Sequence, residues 1–156
     1  MKLHALLDEG LVLPRLRARD KEGALREMAE RLEPRLPAGF AGTLADRLLR
    51  REALGTTAIG HGVAVPHCRA KGLEAPALLL ALSREGVPFD AGDGEPSRVF
   101  FLIVSPEDDP GAGLRLLASI SSLTRTSKAL ASKLLRAGTG AGALEALRAE
   151  EERSRG

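Results

Sequence analysis

Two apolar segments constrain the fold of this chain more than any other feature. Pro76–Ser83 and Arg98–Ser105 hold uninterrupted apolar stretches of strand length, without the alternation of a half-exposed strand. Such stretches are typical of strands that are buried on both faces beneath helices. The loop Phe89–Pro96 between them is rich in turn-forming residues. A shorter segment, Leu11–Leu16, is expected at a sheet edge because Pro14 cannot donate to a central ladder.

Most of the remaining segments show helical periodicity. In the first of them, Leu25, Met28 and Leu32 fall at i, i+3 and i+7. Asp20 is the expected N-cap of this helix. Thr43 and Asp46 have the spacing of a capping box, and Ser127 is the expected N-cap of a later helix. The predicted helices are Asp20–Leu32, Thr43–Ala53, a segment after Pro110, Ser127–Leu135 and Leu144–Arg153. Strands and helices together indicate an α/β domain.

The composition argues against several classes of protein. The chain has 156 residues, of which 44% are hydrophobic and 28% charged, as is typical of one globular domain. A net charge of +2, an aromatic content of 3% and the lack of a basic block argue against nucleic-acid binding. No segment approaches the ~18 apolar residues of a membrane span, and the single Cys68 suits a reducing compartment. We therefore expect a cytoplasmic protein with no membrane insertion.

The segment Arg51–His67 carries the candidate chemistry. It reads Arg-Glu-Ala-Leu-Gly-Thr-Thr-Ala-Ile-Gly-His-Gly-Val-Ala-Val-Pro-His. The glycines predict a tight turn before the strand Val63–Val65, Pro66 ends that strand, and His67 follows it directly. A neutral imidazole offers a nucleophilic nitrogen that can form a covalent intermediate. From the residues alone, His67 is either such a nucleophile or an ordinary structural histidine.

Other chemistries fit this segment less well. His61, His67 and Cys68 lack the usual spacing and number of zinc ligands. Cys68 as a nucleophile would need a base, but neighbouring side chains of a strand point to opposite faces, so a small buried residue is the simpler interpretation. The glycines match neither of the common nucleotide-binding patterns, although their N–H groups could face an anion near His67. Arg51 is either a surface charge or a group that reaches a phosphate on His67.

The same segment resembles the motif of the fructose/mannitol-type enzyme IIA domains of the bacterial phosphoenolpyruvate-dependent phosphotransferase system, which reads R-E-x-x-G-S/T-T-x-I-G-x-G-x-A-x-P-H. The resemblance continues through Gly86–Pro96, the family's loop before its central strand, and Phe100–Glu107, that strand and its exit. A weaker likeness around Leu11–Leu32 extends it to nearly the whole chain. A chain of this size is most similar to the standalone, nitrogen-regulatory branch.

The resemblance implies a single domain over residues 1–156, with a mixed β-sheet flanked by helices on both faces. It implies that His67 accepts a phosphoryl group from the small phosphocarrier protein HPr or its nitrogen-branch relative. Arg51 would stabilise the charge of the phosphate, with Thr57 or N–H groups of the turn in support. A transporter IIB domain or a regulatory target protein would be the next partner. No metal or cofactor is expected.

One position departs from the family pattern. The family usually carries a second histidine just before a leucine, at the start of the helix after the Ser105 strand, and this chain has Gly113 there. His61 is a candidate substitute. Two hypotheses follow: a phosphocarrier modified on His67, or a binding module in which phosphotransfer is impaired because the second imidazole is missing. A metal-dependent hydrolase is disfavoured.

Overall fold

The computed structural model describes residues 2–40 and 42–155 and contains a mixed β-sheet. Along the sheet the strand order is β1-β5-β6-β3-β2, and β4 pairs with β6 beyond the end of β3. The strands, numbered in chain order, are β1 Val12–Leu13, β2 Ala58–Gly60, β3 Val63–Ala64, β4 His67–Ala70, β5 Ala77–Val87 and β6 Ser97–Pro106. Their mixture of parallel and antiparallel pairs confirms the mixed sheet that the resemblance implied.

The two apolar segments form the centre of the sheet, as predicted. β5 and β6 pair antiparallel, with Leu80 opposite Phe101 and Leu78 opposite Ile103. The side chains at these positions are fully or almost fully buried on both faces, because helices cover each face. This is why the segments are uninterruptedly apolar.

Helices pack on both faces of the sheet. The helices are α1 Lys21–Leu32, α2 Leu44–Ala53, α3 Pro110–Thr126, α4 Leu130–Ala137 and α5 Gly140–Arg155. α1 and α2 share one apolar core with the sheet face that carries Cys68 and Phe100. α3, α4 and α5 share a second core with the face that carries Phe101 and Ile103. The two cores place neighbouring residues of each strand in different surroundings.

Local capping patterns predicted one helix start correctly and two wrongly. The side chain of Asp20 accepts a hydrogen bond from the N–H of Gly23, as expected for the N-cap of α1. Thr43 does not cap α2; its hydroxyl bonds the carbonyl of Phe40. The carboxylate of Glu33 instead accepts hydrogen bonds from the N–H groups that start α2. A side chain ten residues away thus replaces the local capping box.

Ser127 is also a wrongly predicted cap. α4 begins at Leu130 without a side-chain cap, and the Ser127 hydroxyl donates to a buried carboxylate oxygen of Glu150 at 2.5 Å. Lys133 of α4 bonds the other oxygen of Glu150 at 2.6 Å, so Glu150 of α5 ties together the end of α3 and helix α4.

Three segments differ in extent from the prediction. β1 is confirmed at the sheet edge but covers two residues, although the N–H of Leu16 still donates to Leu82. α5 is longer than predicted because it begins at Gly140. The strand predicted for Val63–Val65 ends at Ala64, and the chain resumes at His67 as β4, so His67 begins a strand rather than following the end of one. Within residues 2–40 and 42–155, no helix has the length and apolar character needed to cross a membrane.

Candidate active site

His67 is positioned by a short crossover that is fixed at both sides. The N–H of Val65 donates to Thr57 at 2.9 Å, and the carbonyl of Pro66 accepts from the N–H of Ile103 at 3.0 Å. Pro66 restricts both its own backbone and that of the preceding residue. β4 then pairs parallel with β6, with His67 opposite Ile103. The imidazole therefore projects from a rigid point near the carboxyl end of β6.

A backbone hydrogen bond sets the tautomer of the imidazole. Nδ1 of His67 lies 2.8 Å from the carbonyl oxygen of Val65. Because that oxygen can only accept, Nδ1 must carry the hydrogen and donate it. In the neutral ring the lone pair is then on Nε2. His67 consequently offers Nε2 as its nucleophilic atom.

The imidazole lines a cavity of about 300 Å³ between the sheet and α3. Apolar side chains make up much of its wall, and among the described residues that line it Arg69 carries the only full charge. The lining residues are His67, Arg69, Ile103, Ser105, Pro110, Gly113, Leu114 and Leu117. The side chain of Leu114 is largely exposed at this surface. The cavity thus combines an imidazole, a guanidinium cation and an apolar rim.

Arg69 and Ser105 are the two polar neighbours that sequence reasoning missed. Arg69 lies opposite Ser105 on the paired strands β4 and β6, two residues after the pair His67 and Ile103. Residues two apart along a strand share a face, so all four side chains line the cavity. The spacing of two residues between His67 and Arg69 would have placed both side chains on one face, but only if a strand had been predicted to begin at His67.

Arg51 lies outside the cavity lining. It is half-buried near the end of α2, and its Nη1 donates to the carbonyl of Gly55 at 3.0 Å. Within the described part of the chain, Arg51 makes no hydrogen bond to His67. Arg51 thus lies beside the turn that follows α2.

Thr57 belongs to a buried polar network that the sequence did not reveal. Its N–H and hydroxyl donate to the two carboxylate oxygens of Glu52, at 2.8 and 2.6 Å. Lys21 of α1 donates to the same carboxylate at 3.0 Å and lies 2.9 Å from Asp90. Thr57 therefore fixes the turn to α2, and its hydroxyl donates to Glu52 and not to the cavity beside His67.

The ammonium group of Lys21 connects this network to the loop before β6. Burial opposes its charged form, but the hydrogen bonds to Asp90 and Glu52 prevail and raise the pKa of Lys21. The ammonium also lies 4.8 Å from the ring centre of Phe89, at cation–π distance. The second residue of the Arg-Glu motif is thus a structural anchor between α1, α2 and the turn.

His61 lies at the tip of the hairpin between β2 and β3. Its backbone is left-handed, with φ of 58°, and its N–H donates to Asp93 at 3.2 Å. Val63 pairs with Val99, whereas His67 pairs with Ile103. Four residues along β6 correspond to about 13 Å, so the structure does not bring His61 into the cavity.

Cys68 faces away from His67, into the core beneath α1 and α2. Burial raises the pKa of its thiol to about 11, which keeps it protonated and unreactive. This agrees with a small buried residue and not a nucleophile. Across residues 2–40 and 42–155, no group of three or more His, Cys, Asp or Glu side chains has the arrangement of a metal site.

Comparison with known proteins identifies the family. The family described as "Phosphoenolpyruvate-dependent sugar phosphotransferase system, EIIA 2" matches residues 5–149. The chain belongs to this family. It is 32% identical over 123 residues to a nitrogen regulatory protein of Pseudomonas aeruginosa, covering 79% of this chain and 80% of the relative. It is 35% identical over 125 residues to a nitrogen regulatory protein of Bradyrhizobium diazoefficiens, covering 80% and 81%.

The EIIA fold is also found among solved structures. The nitrogen regulatory protein IIA-Ntr of Neisseria meningitidis superposes with a TM-score of 0.80 at 26% identity, covering 93% of this chain and 98% of that one. The mannitol IIA protein of Escherichia coli shares the fold, with a TM-score of 0.72 at 23% identity, covering 90% and 98%. The resemblance read from Arg51–His67 is thereby confirmed, as is the α/β architecture with helices on both faces.

Proposed function

We propose that this EIIA protein is a phosphocarrier that accepts a phosphoryl group on Nε2 of His67. The observation that carries the proposal is the 2.8 Å hydrogen bond from Nδ1 to Val65, which leaves Nε2 as the nucleophile in a cavity that also contains Arg69. Phosphoryl transfer depends mainly on positioning and on stabilising negative charge, and this site supplies both.

The donor we propose is the phosphohistidine of an HPr-like carrier protein. In the transfer, the P–N bond of the donor breaks and its imidazole leaves with the electron pair. The lone pair of Nε2 forms the new P–N bond, while Nδ1–H keeps its bond to Val65. Arg51 remains the proposed charge stabiliser from the family motif, and the largely exposed Leu114 beside the cavity suits an apolar contact with the donor.

The proposed role is regulatory, in the cytoplasm. Its support is the similarity to proteins named nitrogen regulatory protein in two organisms. A related chain, the mannitol IIA protein of Escherichia coli, has been solved in complex with phosphorylated enzyme IIB, and a IIB domain is the alternative onward partner for a sugar-transport role.

Phosphorylation in a reconstituted system tests the proposal. The protein is incubated with phosphoenolpyruvate, enzyme I and an HPr-like carrier, and the label is tested for acid lability and base stability. We expect one labelled site that His67→Ala removes and His61→Ala retains. If the wild-type protein stays unlabelled by a carrier that labels another EIIA protein, the proposal is wrong.

A second candidate function is a binding module without efficient phosphotransfer, and Gly113 in place of the family's second histidine favours it. In that case the partner protein binds equally well to wild type and to His67→Ala, and no label is found. A partner whose affinity changes with phosphorylation of His67 would instead support the carrier.

A further inference from the structure

Ser105 is a buried residue, 5% exposed, whose hydroxyl makes no hydrogen bond to another of the described residues. No fully buried side-chain polar atom of these residues lacks a partner, so the hydroxyl must open onto the cavity that Ser105 lines. A buried hydroxyl that faces an open cavity is available to a ligand.

The strand register places this hydroxyl near His67. The two residues lie on adjacent parallel strands and on the same face, offset by one side-chain repeat. With strand spacings of about 4.8 Å and a repeat of about 6.7 Å, their Cα atoms are about 8 Å apart. An imidazole side chain with a phosphoryl group on Nε2 is long enough to span most of that distance.

The first turn of α3 forms the opposite wall. Pro110 and Gly113 line the cavity, and Asp109 at the N-cap position does not cap the helix but lies 3.5 Å from Arg115. The N-terminus of a 17-residue helix carries a partial positive charge, although Pro110 has no N–H and the N–H of Ala112 already donates to the carbonyl of Asp109. Gly113 has no side chain to cover the Ser105 hydroxyl. An uncapped helix start and a free hydroxyl therefore face the same space.

We propose that the Ser105 hydroxyl, the first turn of α3 and Arg69 together bind the phosphoryl oxygens when the group is on Nε2 of His67. The inference rests on the proposed function. Ser105 donates a hydrogen bond to one phosphoryl oxygen, Arg69 supplies the counter-charge, and α3 supplies its positive end. No proton is transferred, so the hydroxyl binds and orients the group without entering the reaction.

Ser105→Ala tests the assignment, with Ser97→Ala as the matched control. Ser97 is a buried serine of the same strand that lies outside the cavity. At saturating donor we expect Ser105→Ala to slow labelling of His67 by about 10- to 100-fold, since one donor within a charge-stabilising set can contribute that much. Ser97→Ala should stay within twofold of wild type. The donor concentration for half-maximal rate should not change, because Ser105 is too buried to bind the donor protein.

A ³¹P spectrum separates a direct contact from a structural effect. The phosphohistidine resonance should shift in Ser105→Ala and stay in place in Ser97→Ala. Gly113→Ala places a methyl group against the Ser105 hydroxyl, so this variant should shift the phosphohistidine resonance as well. Rates within twofold of wild type, or an unchanged resonance in Ser105→Ala, overturn the inference.

Chemical phosphorylation keeps this test independent of the donor. If no HPr-like carrier labels the wild-type protein, the proposed function fails, and phosphoramidate can still modify His67. A shifted ³¹P resonance in phosphoramidate-treated Ser105→Ala then supports the phosphate contact alone. Failure of both the carrier and phosphoramidate to modify His67 overturns the inference together with the function.

Discussion

Gly113 of α3 lies so close to Ser105 of β6 that a side chain at position 113 would collide with it. A Cβ atom at 113 would lie 2.9 Å from the Ser105 hydroxyl oxygen and 3.2 Å from its Cβ. The glycine therefore does more than omit the histidine that the family usually carries there. It allows α3 to approach the strand that lines the His67 cavity, and the serine occupies the space.

We expect Gly113→Ala to lower the free energy of unfolding. Alanine gains about 0.5–1 kcal/mol over glycine within a helix, but overpacking typically costs about 1–3 kcal/mol, so the net effect is a loss. Urea unfolding measures it, with Gly92→Ala as the control because a Cβ there meets nothing within 4 Å. Gly113→Ala with wild-type stability would contradict the tight contact.

Gly113→His should be tolerated better in combination with Ser105→Gly. The single variant places an imidazole against Ser105, whereas the double variant removes both crowded atoms. We expect the double variant to recover at least half of the stability that Gly113→His loses, because contacting residues are energetically coupled. A double-mutant cycle of urea midpoints measures this, and strict additivity would rule out the steric explanation.

Arg51→Gln should slow the labelling of His67. If Arg51 neutralises developing charge, its loss is expected to reduce the rate at saturating donor by roughly tenfold or more. Arg50→Gln, the exposed neighbour on α2, is the matched control and should leave the rate within twofold. Equal rates for the two variants would show that Arg51 has only a structural role, through its hydrogen bond to Gly55.

Glu52→Gln should destabilise the protein. The carboxylate is buried and accepts hydrogen bonds from Thr57 and Lys21, so a neutral amide loses an ion pair and one acceptor. We expect the free energy of unfolding to fall by about 1–3 kcal/mol. This is less than the largest effects of breaking a buried ion pair, because Lys21 still has its ion pair with Asp90. Chemical unfolding measures it, and exposed Glu30→Gln on α1 is the control. A loss below 0.5 kcal/mol, taken as roughly the size of a surface substitution, would contradict this role.

Stability should fall in alkaline solution because of Cys68. Its thiol has a pKa of about 11 in the folded protein, against the ordinary value of 9.0, so the folded state holds the proton more tightly. The contribution of this thiol to stability is therefore constant below about pH 9 and is lost as the pH rises toward 11, by up to about 2–3 kcal/mol.

Cys68→Ala isolates this effect. The variant loses packing at every pH, but its free energy of unfolding should decline less steeply than that of wild type between pH 8.5 and 10.5. Lys21 is retained in both proteins. The stability that accompanies its raised pKa is therefore lost over the same alkaline range in each and cancels in the comparison. Parallel curves for the two proteins would show that the thiol is not the cause.

Local patterns predicted the elements whose stability is local. Asp20 caps α1 through a bond to Gly23, three residues away, and the apolar stretches of β5 and β6 reflect burial on both faces. Thr43 and Ser127 failed as caps because remote carboxylates, Glu33 and Glu150, changed the hydrogen bonds available. Such contacts depend on how elements pack, which a local pattern does not contain.

The sequence by itself determined the family, the α/β architecture and His67 as the candidate acceptor, because each can be inferred from motifs and local patterns along the chain. Only the tertiary structure decided what surrounds the imidazole. Arg69 and Ser105 reach the cavity through the register of β4 on β6, and Gly113 through the approach of α3. The physical reason is that a pocket is made by side chains from separate elements, whose proximity is set by strand register and helix packing.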